Sequence, residues 1–465
     1  MGLLLLAQAF ILSAIRTGTS FDGAEQLLYT QYFDWGYGRA QPPLYSWLLI
    51  LMHKLFGVTQ LAENVLKFSL LFTALVLLRR VALELGFHKP AATAVMLGAL
   101  LNIDMAWEIQ RNYSHTALLV ALSPALALVY LKLSRQRHPA QYLLFGLVAG
   151  MLALAKYNSL VAIPALLIAD LIVQRRMSIM TGKWFWLSCL VFFLITAPHL
   201  YWAYANPDQF GSYSGSFGLT NSSWNPGEAV QSLASFGLAA IAVFGPSLLI
   251  VFARLHKTQG LKRPSAILTG LSRERRVMVL WGLFFLGAGL LAAVTAGSTR
   301  IVPRWLLPAF LILIPVLVGS LAQADRSAMK AFVWTGVMAF VIASSGQWIH
   351  SVSLNPRTGY DYQGFAGALP QTQAILFSEY QIFANLRLYL PQVHYINHVM
   401  PKRETPGTEQ AIALFTEHNM PKTVVNLAAQ LGLCQDGDIE THTLGSVYND
   451  STLPVRLARL SLCKN

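Results

Sequence analysis

Residues 21–47 read FDGAEQLLYTQYFDWGYGRAQPPLYSW. Asp22 and Glu25 stand three apart, a spacing that puts both on one face of a helix. The aromatics Tyr29, Tyr32, Phe33, Trp35 and Tyr37 follow. A Gly36–Gly38 turn then leads to Gln41-Pro42-Pro43-Leu44, whose prolines end one helix and admit the next. One apolar run precedes this stretch and ten follow it, so it reads as a loop on a membrane surface, either an active-site loop or the plainer segment that composition alone favours. The plainer reading is an interfacial segment of aromatic-belt residues. Asp22 has two readings as well. A carboxylate in a partly dehydrated site can take a proton from a hydroxyl, whereas Asp22 as N-cap with Glu25 at N3 would be a capping box. Sequence physics weighs these evenly, and they are compatible.

Composition sets the class. Of 465 residues, 55% are hydrophobic and only 12% charged, against roughly 25% charged in soluble domains; this is the composition of an integral membrane protein. The net charge of +13 comes from short basic clusters between apolar runs, with no long basic tract to suggest nucleic acid as a partner. The three cysteines, Cys189, Cys434 and Cys463, make neither a disulfide scaffold nor a CxxC zinc pattern. Cys434 and Cys463 both lie in the polar tail, where an oxidising compartment would allow a bridge. Residues 2–15 are apolar but shorter than the roughly 20 a spanning helix needs. They lack the basic start of a signal peptide and read as a first transmembrane helix that is short, tilted or clipped by a late start codon.

Residues 45–56 read as a second surface helix. Further apolar runs lie at 65–78, 91–107, 117–131, 142–155, 160–173, 184–204, 233–252, 277–294, 306–321 and 331–349, giving about eleven transmembrane helices. With a cytoplasmic amino end, the returning loops carry Arg79-Arg80 and Lys89, Arg135 and Arg137, Arg175-Arg176 and Lys183, Arg254 to Arg276, and Arg326 and Lys330. The positive-inside rule is thus satisfied. The opposite loops hold Asp22, Glu25, Glu108, residues 207–228 and the tail. The expected organisation is a membrane domain over 1–350, with its first external loop at 16–60, and a soluble domain over 351–465. In that domain, 374–377 and 393–396 read as strands around a helix at 381–390, and 397–407 as a loop.

Other polar groups interrupt the apolar pattern on the same external side. Glu108, Arg111, Asn112 and His115 join helices three and four, and Lys156, Tyr157 and Asn158 join helices five and six. Ionisable groups at this depth are functional candidates by default. The alternatives are snorkelling of Arg111 and Lys156 and an i,i+3 pair between Glu108 and Arg111. Arg300 and Arg304 flank the start of helix ten. The planar guanidinium suits phosphate because it offers two donors and stays charged; the alternative is an interface anchor beside Trp305. His199 sits in an apolar helix, where a satisfied core histidine is the commoner outcome, and residues 210–225 read as a lid or an ordinary exposed loop. There is no GxxxxGK[ST], no HExxH, and no cytosolic loop long enough for a nucleotide-sugar domain.

The order of these parts resembles the polytopic glycosyltransferases of the protein O-mannosyltransferase superfamily, including the bacterial enzymes that place 4-amino-arabinose or galacturonic acid on lipid A and lipopolysaccharide. The residues that carry the resemblance are Asp22, Glu25, Pro42, Pro43, Leu44, Trp47 and Leu48, then GMLALAKY at 150–157, Pro198-His199 with Trp202, and Arg304-Trp305 with Pro308. Trp305 stands where that family usually has Tyr. The likeness covers residues 2–321 in layout, is strongest at 21–47 and is faint in the tail.

The resemblance implies an α-helical polytopic GT-C fold with amphipathic surface helices and a small α/β periplasmic carboxy-terminal domain, in a bacterial inner membrane. It implies sugar transfer from a polyprenyl-phosphate donor to a periplasmic lipid or glycan acceptor, lipopolysaccharide ahead of protein Ser/Thr, with inversion at the anomeric carbon. Asp22 would be the base with Glu25 in support. Lys156, Arg304, Arg300 and Arg111 would hold the donor phosphate, and Tyr37, Gln41, Glu108, His115 and His199 would line the substrate site. No cofactor is expected. A divalent metal is the property of pyrophosphate-using relatives, and a monomer is the expected state. A lipid or glycan flippase would share the helix count but should show inverted repeats or paired broken helices, and a noncatalytic scaffold would tolerate loss of Asp22. Sugar and acceptor are not legible in these residues.

Overall fold

The computed structural model describes residues 1–37, 41–207, 226–255, 271–295, 298–398 and 408–463. The region expected to form a lid, 210–225, lies outside them, as do most of the expected 397–407 loop and part of the Gly36–Gly38 turn.

Each apolar run becomes a helix. After α1 (Gly2–Ile15), α2 (Phe21–Tyr29) and α3 (Leu44–Phe56) come α4 (Gln60–Glu84) and α5 (Lys89–Gly98). A π-helical turn (Asp104–Glu108) and α6 (Ile109–Arg111) precede α7 (His115–Arg135), α8 (Pro139–Ala153), α9 (Ser159–Gln174) and α10 (Phe185–Ala205). The bundle closes with α11 (Pro226–Leu255), α12 (Arg273–Thr295), α13 (Leu307–Ala324) and α14 (Arg326–Ile349). Among the described residues seven helices are long and apolar enough to cross a membrane, and an eighth span exists if Lys89–Leu101 and Asp104–Arg111, bent by 76°, are one broken helix. About eleven spans were expected. The difference lies in short helices such as α1 and α8, which fall below the length of the hydrocarbon core. The chain is a multi-pass membrane protein.

The broken span is held by polar contacts. Arg16 donates to Ser351 Oγ (2.9 Å), the Gln110 carbonyl (3.0 Å) and Gln347 Oε1 (2.9 Å). Gln8 joins Gln110 Oε1 at 2.8 Å and accepts from Trp348 Nε1 at 2.9 Å. Groups this deep must find protein partners, and these ones fix the π-turn against α1 and α14.

After the bundle the chain builds a six-stranded sheet: β1 (Ala374–Phe377), β2 (His394–Ile396), β3 (Gln410–Phe415), β4 (Leu433–Gln435), β5 (Glu440–Gly445) and β6 (Thr452–Leu462), ordered β2-β1-β3-β6-β4 with β5 also on β6. β1 runs parallel to β2 and β3, and β6 antiparallel to β3, β4 and β5. The helix Lys422–Gln430 covers one face. The other face packs Ile375, Phe377, Ile412 and Leu457 against Leu27, Leu28 and Tyr29 of α2. Full burial of such side chains contributes about 1.5–3 kcal/mol each, so this sheet and the first loop share one core. Cys434 and Cys463 form a disulfide.

One expected element differs. Instead of a helix over 381–390, a single turn at Tyr380–Phe383 runs into a 3-10 helix at Ala384–Leu388. Side chains of this tighter segment bond across to α2, and those tertiary ties override local helix preference.

Candidate functional site

The site is built on α2. Ser20, not Asp22, is the N-cap, and no side chain caps the helix. The capping-box reading of Asp22 and Glu25 therefore fails: Asp22 lies inside the first turn, where its carboxylate is released from capping. Its backbone N–H donates to Asn112 Oδ1 at 3.1 Å, and the Ser20 hydroxyl donates to the Arg111 carbonyl. The turn after the π-helix thereby holds the start of α2.

Gly23 makes room for a second carboxylate. A Cβ there would stand 2.7 Å from Glu63 Oε1. Glu63 is ion-paired with Lys67 at 2.5 Å one turn along α4, both nearly fully buried. The first loop is pinned elsewhere as well. The His115 ring donates to the Pro42 carbonyl and packs 5.3 Å from Tyr45, and the Leu44 N–H donates to the Leu154 carbonyl at 3.2 Å.

Three cations act on Asp22: Arg304, Lys156 and Lys67. Burial raises its carboxyl above the ordinary value, and those charges, with an N–H donated by Ser114, oppose the rise. Lys156 sits in the turn between α8 and α9, 6% exposed, with Nζ donating to Thr116 Oγ1 at 2.7 Å. Burial first, and the Arg304 charge second, bring Lys156 down to about 7, against the pull of Asp22 and Asp104. Arg304 lies in the 3-10 turn Pro303–Trp305 before α13, its guanidinium 5.4 Å from the Tyr113 ring. Asn158 Nδ2 reaches the Trp305 carbonyl at 3.4 Å, linking the Lys156 and Arg304 turns.

Asp104 and Tyr45 complete the surroundings. Asp104, in the π-helical turn, is 2% exposed, accepts from the Tyr113 hydroxyl at 2.6 Å and feels the charges of Lys156 and Arg304. Tyr45 is fully buried, close enough to Glu63 and Asp22 for both charges to act on it. Among the described residues Asp104 Oδ2, Arg304 Nε, the Tyr45 hydroxyl and Gln41 Oε1 are buried without a hydrogen-bond partner. Of these, Arg304 and Tyr45 lie close enough to Asp22 for charge to act between them, and Asp104 faces Arg304 and Lys156.

The other sequence candidates lie as follows. Glu25 accepts from the Tyr29 hydroxyl at 3.3 Å. Arg111 is paired with Glu108 at 2.9 Å, and Arg300 is exposed. Tyr37, 2% exposed, turns into the loop's own core, stacked on Tyr29 at 5.4 Å and accepting from the Asp34 N–H. His199 bonds the Trp35 carbonyl at 2.8 Å through Nδ1 and the Tyr157 hydroxyl at 2.7 Å through Nε2, and Trp202 packs directly on Gly36. The 198–202 motif is thus the mount on which the first loop sits. Sequence reasoning missed Asp104 and Tyr45. Asp104 carried a signal, an acid inside an apolar run, whereas Tyr45 looked like one more interfacial aromatic. Among the described residues no three His, Cys, Asp or Glu side chains come together as metal ligands.

Comparison with known proteins fits this architecture. Residues 40–202 match the family described as dolichyl-phosphate-mannose-protein mannosyltransferase. The lipopolysaccharide core galacturonosyltransferase RgtB of Rhizobium johnstonii is 31% identical over 323 residues, 66% of this chain, and the chain spans 63% of that relative's length. RgtA of the same organism, a lipopolysaccharide core galacturonosyltransferase, is 27% identical over 448 residues, 91% of this chain and 85% of RgtA. In fold, the chain is similar to ArnT from Cupriavidus metallidurans bound to undecaprenyl phosphate, with a TM-score of 0.64 and 14% identity over 98% of this chain and 96% of ArnT. The chain is thus similar in sequence to these galacturonosyltransferases and, over residues 40–202, to this mannosyltransferase family, and its fold is that of ArnT.

Proposed function

We propose that this chain transfers a sugar from a polyprenyl-phosphate donor to a lipopolysaccharide acceptor on the periplasmic side of a bacterial inner membrane. The observation that carries the reading is Asp22 at the start of α2 with Lys156 and Arg304 acting on it from two other turns. A carboxylate and two cations from separate elements suit a reaction in which a hydroxyl loses a proton while a phosphate gains charge. The galacturonosyltransferase relatives favour a uronic acid as the sugar and the lipopolysaccharide core as its acceptor.

In this reading the acceptor oxygen attacks the anomeric carbon and its proton passes to Asp22. The bond from that carbon to the phosphate oxygen breaks, and the phosphate keeps the electron pair. One displacement inverts the anomeric centre. Burial makes Asp22 a stronger base than an exposed carboxylate, and the charges of Arg304 and Lys156 oppose that rise. Arg304 and Lys156 hold the phosphate, and their charge is worth most as the leaving group becomes more negative. The disulfide in the tail supports an oxidising compartment, and hence the periplasmic side.

The test is sugar transfer in membranes expressing wild type or Asp22→Asn, with extracted polyprenyl-phosphate sugars and mass spectrometry of lipid A and core. Loss of a general base lowers rates about 10²- to 10⁴-fold, and that loss is expected in a folded Asp22→Asn protein. Full activity in Asp22→Asn would remove Asp22 from the mechanism, and no product from wild type with any donor would sink the transferase reading.

A further inference from the structure

The short helix that carries Asp22 is held at both ends by one segment of the carboxy-terminal domain. At its start, Asn385 Oδ1 accepts from the Thr19 N–H at 2.6 Å and from the Thr19 hydroxyl at 3.1 Å. At its end, Arg387 donates to the Leu27 carbonyl, to Thr30 Oγ1 at 2.8 Å and to the Thr30 carbonyl at 2.9 Å. Just beyond, Gln31 and Tyr395 exchange two bonds, 3.0 Å from Gln31 Nε2 to the Tyr395 carbonyl and 2.8 Å from the Tyr395 N–H to Gln31 Oε1.

Arg387 is an unusual choice for this place. It is 5% exposed, and among the described residues it has no carboxylate partner. A buried cation is costly unless hydrogen-bonded and electrostatically matched. The match here is the end of α2, whose last carbonyls lack intrahelical partners and carry the negative end of the helix dipole. With nine residues and no side-chain cap at its start, α2 is too short to set its own geometry, so ties at its two ends fix where Asp22 stands.

Resting on the transferase reading above, we propose that Arg387 is a positioning residue for the reaction: through α2 it holds Asp22 in register with the phosphate-binding cations, and the carboxy-terminal domain thereby completes the active site. Arg387 itself does not reach Asp22, because nearly the whole helix, about 1.5 Å per residue, lies between them. Lys156 and Arg304 stand on elements that Arg387 does not touch. Releasing the end of α2 should therefore slow turnover and leave donor binding intact.

The experiment compares wild type, Arg387→Met, Arg387→Lys and Thr30→Val in lipid nanodiscs, with kcat expressed per donor-binding site titrated on the same sample. Displacing a reacting group by about 1 Å costs on the order of 100-fold, so Arg387→Met is expected to lose at least about tenfold in kcat, with KM for the donor within about twofold. Arg387→Lys should recover part of that loss. Thr30→Val, which keeps the arginine and removes one bond, should show a smaller loss of the same sign and covers the case in which Arg387→Met does not fold. Hydrogen exchange gives a readout independent of activity: amides of 21–31 should exchange faster in Arg387→Met, with those of α4 and α7 unchanged. Wild-type kcat per donor site, or unchanged protection of 21–31, would overturn the proposal. If wild type itself transfers no sugar, the transferase reading falls, and the exchange measurement alone decides whether Arg387 holds the helix.

Discussion

Gly23 shows how closely two carboxylates are packed at this site. An added methyl would meet Glu63 Oε1 at 2.7 Å and Thr19 Cβ at 2.7 Å, and neither the buried Glu63–Lys67 pair nor the segment before α2 has room to give. Gly23→Ala is expected to cost about 1–3 kcal/mol, the range for overpacking, seen as a lower melting temperature in detergent, and to reduce transfer further by displacing Asp22. Lys156 sets a pH dependence. With its value near 7, the ammonium is present below that pH and lost above it, while a phosphodiester donor keeps one negative charge throughout. Donor affinity measured without acceptor should therefore weaken between pH 6 and pH 8.5 in wild type and stay flat in Lys156→Met; a flat wild-type curve would take Lys156 out of the phosphate site. Asp22, Lys156 and Arg304 were legible because each is an ionisable residue at a turn on the same side of the bundle. Asp104 showed as an acid inside an apolar run, but nothing local in the sequence shows the π-turn that holds it near Arg304.

At the scale of elements, the first loop depends on α10. His199 bonds the Trp35 carbonyl, and Trp202 packs on Gly36, so the aromatic stretch is mounted on a helix more than 160 residues away in sequence. Gly36→Ala should lift the loop from that mount, and limited proteolysis in nanodiscs should then cut within 31–37 in the variant and spare wild type. Equal resistance would show that the loop is held from elsewhere. The apolar helices were readable from hydropathy, though not which of them are long enough to span, and the start of α3 from its prolines, because both depend on local composition. The 76° break between Lys89–Leu101 and Asp104–Arg111 was not. It rests on contacts of Gln110 and Arg16 with α1 and α14, which no local pattern encodes.

At the scale of the whole molecule, the sheet and the bundle are one structure, since α2 and the first loop contribute to the core of the sheet's inner face. Strand β1 was readable to the residue, but the helix expected after it was replaced by a 3-10 segment shaped by α2. The disulfide closes a 29-residue separation, and by chain entropy such a loop contributes about 3–4 kcal/mol. Replacing both Cys434 and Cys463 by serine should lower the melting temperature of the protein and leave transfer per folded molecule unchanged; thiol labelling of intact cells should find both residues blocked in wild type. The tie between Arg387 and α2 also imposes an order in time. The Leu27 carbonyl and the arginine that meets it are 360 residues apart. At synthesis rates of about 5–20 residues per second, about 20–70 s separate them. The helix that carries Asp22 is synthesised early, and its tie to Arg387 forms only when nearly the whole chain has been made, so a prematurely ended chain would carry this helix without that tie.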